Sequence, residues 1–188
     1  MKTAIICPNY PPSRKEGGIS HFTQLLARQL VEIGEQLVIV TNDEYMGDEE
    51  CPSMEIVVVP GPWNSRAART VTDILSARSV DLVNLQYSPS MYSASFKYAW
   101  RAAARQFPLV TSFHTLWGGG SINYLFALQL LSASRAVLAT NTEIVYLLEK
   151  YLPIFLKKTR RIPIGSNICP SSKSQHNVEV EYRLREGA

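Results

Sequence analysis

Short apolar runs alternate with longer segments of helical periodicity along most of this chain, and that alternation restricts its fold more than any other feature. "TAIIC" at residues 3–7, "QLVIVT" at 36–41, "EIVVVP" at 55–60, "DLVNLQ" at 81–86, "PLVTSF" at 108–113 and "AVLAT" at 136–140 read as buried strands. "RRIPIG" at 160–165 reads as a last one. Between them lie helical stretches at about 18–33, 65–78, 91–106, 122–134 and 142–152. In the first, Ile19, Phe22, Leu25, Leu26, Leu30 and Ile33 draw one apolar stripe, and Gly34 is placed to end it. Strand, helix, strand in repetition predicts an α/β fold: a doubly wound, mostly parallel sheet flanked by helices, Rossmann-like. Residues 1–169 are expected to form this domain. Residues 170–188, rich in Ser, Lys, Gln and Asn, read as a linker or the truncated start of another domain.

In such sheets ligands bind beyond the carboxyl ends of the strands. That rule selects the stretches after Cys7, Gln86, Phe113 and Thr140. The first of them, "PNYPPSRKEGG", is long where such connections usually run roughly 2–6 residues. It closes on Gly17 and Gly18, which tolerate unusual backbone angles and let a ligand approach the main chain. A helix starting there offers free N–H groups and a partial positive charge, suited to phosphate. Neither GxxxxGK[ST] nor GxGxxG is present, so a Walker loop and the dinucleotide fingerprint are both excluded.

His114 directly follows the fifth strand and precedes Gly118, Gly119 and Gly120. An imidazole there can hydrogen-bond a hydroxyl or carry a proton; the plainer reading is a histidine capping a strand end. Tyr10, Gln86, Tyr87, Thr115 and Asn141 fall on the same ligand-facing loops and are candidates for the cleft. His21, beside Phe22, suits a structural role equally well. Arg66 and Arg69, near a helix start, could hold an acidic acceptor or simply be solvated. No Ser-His-Asp or Cys-His arrangement can be assigned from spacing, and no metal-ligand set emerges.

Hydrophobic residues make up 46% of the chain and charged ones 19%, a globular balance. A net charge of +3 with scattered cations does not call for nucleic acid. Asp43, Glu44, Asp48, Glu49 and Glu50 crowd one segment, as in a solvated loop. "KKTRR" at 157–161 could meet an anionic membrane surface, or be a solvated run before a strand. Cys7, Cys51 and Cys169 are dispersed and odd in number, which favours reduced thiols. With no basic leader and apolar core at the start, a cytoplasmic chain is expected, with peripheral membrane contact.

Five stretches in order, "YPPSRKEGGISHFTQLLARQLVEIGEQLVIVTN", "VDLVNLQYSP", "PLVTSFHT", "SRAVLATNTEIVYLLEKY" and "RRIPIGSNI", resemble the N-terminal domain of a GT-B glycosyltransferase of family 4. The resemblance runs from residue 3 to about 168. It implies one half of a cleft between two Rossmann-like domains, with the acceptor mainly on this half. It implies amides at Gly17 and Gly18 against the diphosphate of a nucleotide-sugar donor, and His114 facing the donor sugar. The reaction implied is retaining transfer to an acceptor hydroxyl, with no tightly bound cofactor. The family's second domain, with its glutamates spaced E-x7-E, has no counterpart here. "EYRLREGA" resembles only the approach to that domain, and Ile164 stands before Gly165 where relatives often have Asn. The resemblance therefore implies a partner: a donor-binding domain, in the same polypeptide or a separate one, without which this portion should be inactive. The alternatives are a Rossmann-type oxidoreductase or nucleotide-binding enzyme, and a binding module that kept the fold without the chemistry.

Overall fold

The computed structural model describes residues 1–15, 17–42, 44–47, 51–118 and 120–162. Cys169, the Ile164–Gly165 pair and the expected linker at 170–188 lie outside the described residues. The strands are β1 (Lys2–Ile6), β2 (Gln36–Asn42), β3 (Met54–Val59), β4 (Leu82–Tyr87), β5 (Leu109–Phe113), β6 (Ala136–Ala139) and β7 (Thr159–Arg161). The helices are α1 (Gly18–Glu32), α2 (Ser65–Ala77), α3 (Ala94–Ala103), α4 (Ser121–Ala133) and α5 (Thr142–Tyr151). They form one seven-stranded sheet in the order β3-β2-β1-β4-β5-β6-β7, parallel throughout. The expected fold class is the one observed. The run "KKTRR" is divided: Lys157 and Lys158 end a 3-10 turn, and Thr159–Arg161 is the strand itself.

Parallel strands need crossovers, and the two directions of travel put the helices on opposite faces. α2, α3, α4 and α5 cover one face, their apolar side chains meeting Ala4, Ile6, Val83, Leu85, Phe113 and Val137. α1 covers the other face with Ile5 and Ile39 beneath it. β1, β2 and β3 thus feed both cores, as their alternating side chains require, whereas β4, β5 and β6 put their apolar residues into the larger core. Phe96 stacks on Trp100 along α3, and Trp63, just before α2, meets Phe96 at a tilt. Each large buried ring of this kind contributes roughly 1.5–3 kcal/mol. Three helix starts are capped by polar side chains. Asn64 accepts from the amides of Arg66 and Ala67, Ser93 from Phe96, and Asn141 from Ile144.

The apolar stripe expected to bury α1 is not its buried line. Ser20, Thr23 and Ala27 are buried, while Phe22, Leu26 and Leu30 flank them half-buried. Leu25 and Ile33 are exposed. Small residues let the helix lie close on the sheet, so the larger side chains wedge along its flanks. Gly34, at φ 90°, does terminate the helix as expected.

Candidate active site

Strand order reverses between β1 and β4, whose outgoing chains diverge to opposite faces. In sheets of this order the ligand crevice lies at the carboxyl ends of the strands at that point. The long connection after β1 lies at this edge. It is anchored rather than loose. The amide of Cys7 donates to Val40 O, that of Tyr10 to Thr41 Oγ1, and that of Asn42 to Pro8 O. Asn42 Nδ2 donates to Asn9 Oδ1 at 3.0 Å, Met46 N to Pro12 O at 2.8 Å, and Lys15 pairs with Glu44. The first loop is thus held against the chain leaving β2, and it delivers Gly17 to the start of α1.

Gly17 is the N-cap of α1, in extended backbone at φ −161° and ψ 178°, with no side-chain cap. Neither Gly17 nor Gly18 takes a positive φ. The value of these glycines is therefore space, not special backbone angles: a Cβ added at either would meet nothing within 4 Å. The first intrahelical bond runs from the amide of His21 to Gly17 O. The amides of the turn before it have no helical acceptor, so they face outward as donors.

One turn on, the ring of Phe22 meets the imidazole of His114 edge-on, 5.2 Å between centroids. A helix rises about 1.5 Å per residue, so the open first turn lies within roughly 6 Å of the Phe22 contact along its axis. His114 is reached from the other side of the crevice. Its amide donates to Tyr87 O and its carbonyl accepts from Asn141 Nδ2, which ties the residue to β4 and to the cap of α5.

The histidine's protonation follows from the network beneath it. Asn84 Oδ1 accepts from Gln86 Nε2 at 2.6 Å and from Ser112 Oγ at 3.2 Å. With its amide hydrogens directed to Asn84, Gln86 presents Oε1 to His114 Nε2 at 2.8 Å. Nε2 must then carry the proton and donate it. Nδ1 is left a bare acceptor, buried without a hydrogen-bond partner. Burial also pushes the imidazole's pKa down to about 4, so at neutral pH it is an uncharged ring with one unused lone pair.

The other candidate residues divide clearly. Gln86 and Asn141 converge on His114, as above. Thr115 is exposed at the same rim, beside Ser88, Pro89 and Asn123 around a cavity of ≈ 350 Å³. Tyr10 and Tyr87 are corrected: both are fully buried core residues. Tyr10 donates to Met54 Sδ beneath β3. Tyr87 is the last residue of β4, not a loop residue, and it packs among Tyr92, Phe113 and Phe126 on the opposite face from Gln86. His21 is half-buried on the first turn of α1. Arg66 is exposed on α2, and no hydrogen bond or ring contact among the described residues joins it to His114 or Phe22.

Sequence reading passed over Phe22, Asn84 and Ser112 as site residues. A signal existed: Asn84 and Gln86, then Ser112 and His114, alternate with apolar neighbours in two adjacent buried strands. Polar residues at that period line one face, and burying them there needs a reason. Lys97 was missed too. Its buried Nζ donates to Pro89 O and Asn123 Oδ1, and Asn123 Nδ2 donates to Gly118 O. This lysine therefore bolts together the loops after β4 and β5. Cys7 has no such place. Its thiol is fully buried and held neutral, burial pushing its pKa up to about 11.

Residues 16–171 match the sequence profile described as Glycosyltransferase Family 4. No curated protein sequence matches the chain. Among solved structures, a glycosyltransferase from Rickettsia africae ESF-5 is similar at 14% identity and TM-score 0.63, with 98% of this chain and 49% of that one covered. The catalytic domain of starch synthase IV from Arabidopsis thaliana, bound to ADP and acarbose, is similar at 12% identity and TM-score 0.63, covering 99% and 59%. WaaG, a glycosyltransferase involved in lipopolysaccharide biosynthesis, follows at 16% and 0.60, covering 98% and 51%. The chain spans about half the length of these structures. At such identities the likeness speaks for the fold, whereas the profile match covers most of the sequence itself. By the profile match the chain belongs to glycosyltransferase family 4, and by structural likeness it has the Rossmann-like fold of one GT-B half.

Proposed function

We propose that this chain is the acceptor-side half of a retaining glycosyltransferase, which moves a sugar from a nucleotide-diphosphate donor to an acceptor hydroxyl. The observation that carries the reading is the contact of His114 with Phe22, one turn from the uncapped start of α1. In this reading the amides at Gly17 and Gly18 meet the donor diphosphate. Negative charge grows on that group as the sugar departs, and fixed dipoles stabilise it without reorganising. His114, neutral, faces the donor sugar and holds it against the cleft. Gln86 and Asn141 orient it, and Thr115 lies at the rim for the acceptor.

The donor-binding half is a second domain, in the same polypeptide or a separate one, and this portion by itself is inactive. Two similar structures bind nucleotides by their descriptions, ADP in the starch synthase and UDP-glucose in an α-glucosyltransferase. They support a nucleotide-linked donor without specifying which. A cytoplasmic site of action, with peripheral contact to a membrane that holds the acceptor, belongs to the same reading.

The test has two arms. The chain is titrated with UDP, ADP and NADH, and weak binding of the diphosphates is expected, lost when Gly17 and Gly18 are replaced. Selective NADH binding would instead make it a dinucleotide enzyme. Supplying the second domain and assaying sugar transfer should restore activity, and His114→Ala should reduce it at least a hundredfold, the order of a lost positioning hydrogen bond. Transfer unchanged by His114→Ala removes that residue from the chemistry. Absence of both binding and transfer would leave the binding-module reading standing.

A further inference from the structure

Lys97 is only 4% exposed, and a lysine is almost never buried so far without a carboxylate beside it. Among the described residues no ion pair reaches it, and from Leu82 to Thr142 the chain holds no aspartate or glutamate. Two neutral acceptors hold the ammonium instead, Pro89 O at 2.7 Å and Asn123 Oδ1 at 2.5 Å. Burial keeps its pKa below the usual lysine value. Taking an ammonium out of water costs stability, so stability alone does not account for a lysine here.

The partners do. Pro89 lies on the loop after β4. Asn123, in the first turn of α4, turns the other atom of its amide to the loop after β5, Nδ2 donating to Gly118 O. An aspartate at 123 would pair more strongly with the ammonium, but a carboxylate only accepts and would leave Gly118 O unheld. An asparagine can take from Lys97 and give to Gly118 at once. The loops also touch directly, since a Cβ on Gly118 would lie 2.9 Å from Pro89 Cγ. Lys97 itself stands on a firm base, its amide closing the first turn of α3 on Ser93 O.

Ser88, Ser90 and Thr115 come from the same two loops and line the cavity of ≈ 350 Å³ with Pro89, Gly118 and Asn123. Lys97 does not line it, yet it fixes the spacing of both walls. The second loop begins at His114, whose amide is bonded back to Tyr87 O at the root of the first. We infer that Lys97 is a positioning residue of the transfer site: it sets the gap in which an acceptor hydroxyl is presented beside His114. The inference rests on the transfer reading above and adds to it a residue that touches neither substrate. A displacement of about 1 Å in such a wall is enough to lower the rate by one to two orders of magnitude.

Two variants separate position from stability. Lys97→Met keeps the stem and removes the ammonium. Asn123→Asp gives Lys97 a charged partner and removes only the donor to Gly118 O, so its melting temperature should hold or rise. Hydrogen exchange followed by NMR on the chain needs neither donor nor second domain. The His114 amide should exchange about tenfold faster in both variants, with far-UV circular dichroism unchanged. In the transfer assay with the second domain supplied, both should lose roughly tenfold in kcat at an unchanged donor KM. Native exchange at His114 in both variants overturns the inference. So does an active enzyme in which Asn123→Asp transfers sugar at the native rate, because Lys97 would then only fill a buried place. A fall in donor affinity as large as the fall in kcat overturns it too, by tying the lysine to the donor. If the assembled wild-type enzyme transfers no sugar, the transfer reading falls, and the exchange rates still decide whether Lys97 holds the rim.

Discussion

The imidazole of His114 stands edge-on to the ring of Phe22, 5.2 Å apart and 77° between planes. The two residues lie more than ninety positions apart in the chain. Their contact brings the end of β5 against the first turns of α1 and makes one wall from two elements.

That burial has a signature in pH. The His114 ring titrates near 4 in the folded chain, against about 6.5 ordinarily. Between those values the unfolded chain binds the proton and the folded one does not, so stability rises with pH across the window. It is full above about 6.5 and falls as the solution is acidified towards 4, by roughly 3 kcal/mol in all. Urea midpoints measured from pH 7 to pH 4 should show this slope, and His114→Gln should flatten it.

Gln86 should control which imidazole nitrogen is protonated. In the native chain ¹⁵N NMR of the His114 ring should show Nε2 protonated and Nδ1 bare. Gln86→Glu would place a carboxylate 2.8 Å from Nε2, favouring the imidazolium and raising the pKa by roughly 1–3 pH units. Two ring nitrogens in fast tautomeric exchange in the native chain would contradict the network.

Gly17 and Gly18 separate stability from binding. With open space around both positions, Gly18→Ala should stabilise α1 slightly, by at most about 1 kcal/mol. Its methyl, and more so the side chain of Gly18→Leu, should obstruct approach to the first-turn amides. Thermal unfolding should therefore hold or improve while calorimetry shows nucleoside diphosphate affinity falling.

Asn141 does two jobs where Asn64 does one. Both cap a helix, but Asn141 Nδ2 also donates to the His114 carbonyl at 3.1 Å. Asn64→Ala should cost about 1 kcal/mol, the ordinary value of a cap. Asn141→Ala should cost about twice that and should also shift the His114 ring resonances, which Asn64→Ala should not touch.

Periodicity reached the first six strands to within a residue or two, because buried parallel strands appear as short apolar runs; α3 was drawn from about Met91 to Gln106 and is Ala94–Ala103. It erred on α1. Ile19, Phe22, Leu25 and Leu26 form the more apolar arc, yet Ser20, Thr23 and Ala27 face the sheet. Periodicity reports hydrophobicity and not how closely a helix may approach. It also set Tyr10 and Tyr87 in the cleft because they fall near strand ends. Whether such a side chain turns inward depends on strand parity and on what covers each face.

Local chemistry in the sequence was enough to determine the alternation of elements, the parallel sheet they compel, and the sheet edge at which folds of this kind take their ligands. Those follow from short-range periodicity and from the handedness of crossovers, both written in contiguous residues. Only the tertiary structure decided that Asn84, Gln86, Ser112 and His114 form one connected network beneath α1, and that Phe22 closes it. Hydrogen-bond partners across strands and ring contacts across a crevice depend on register and packing distance, and no stretch of sequence carries those by itself.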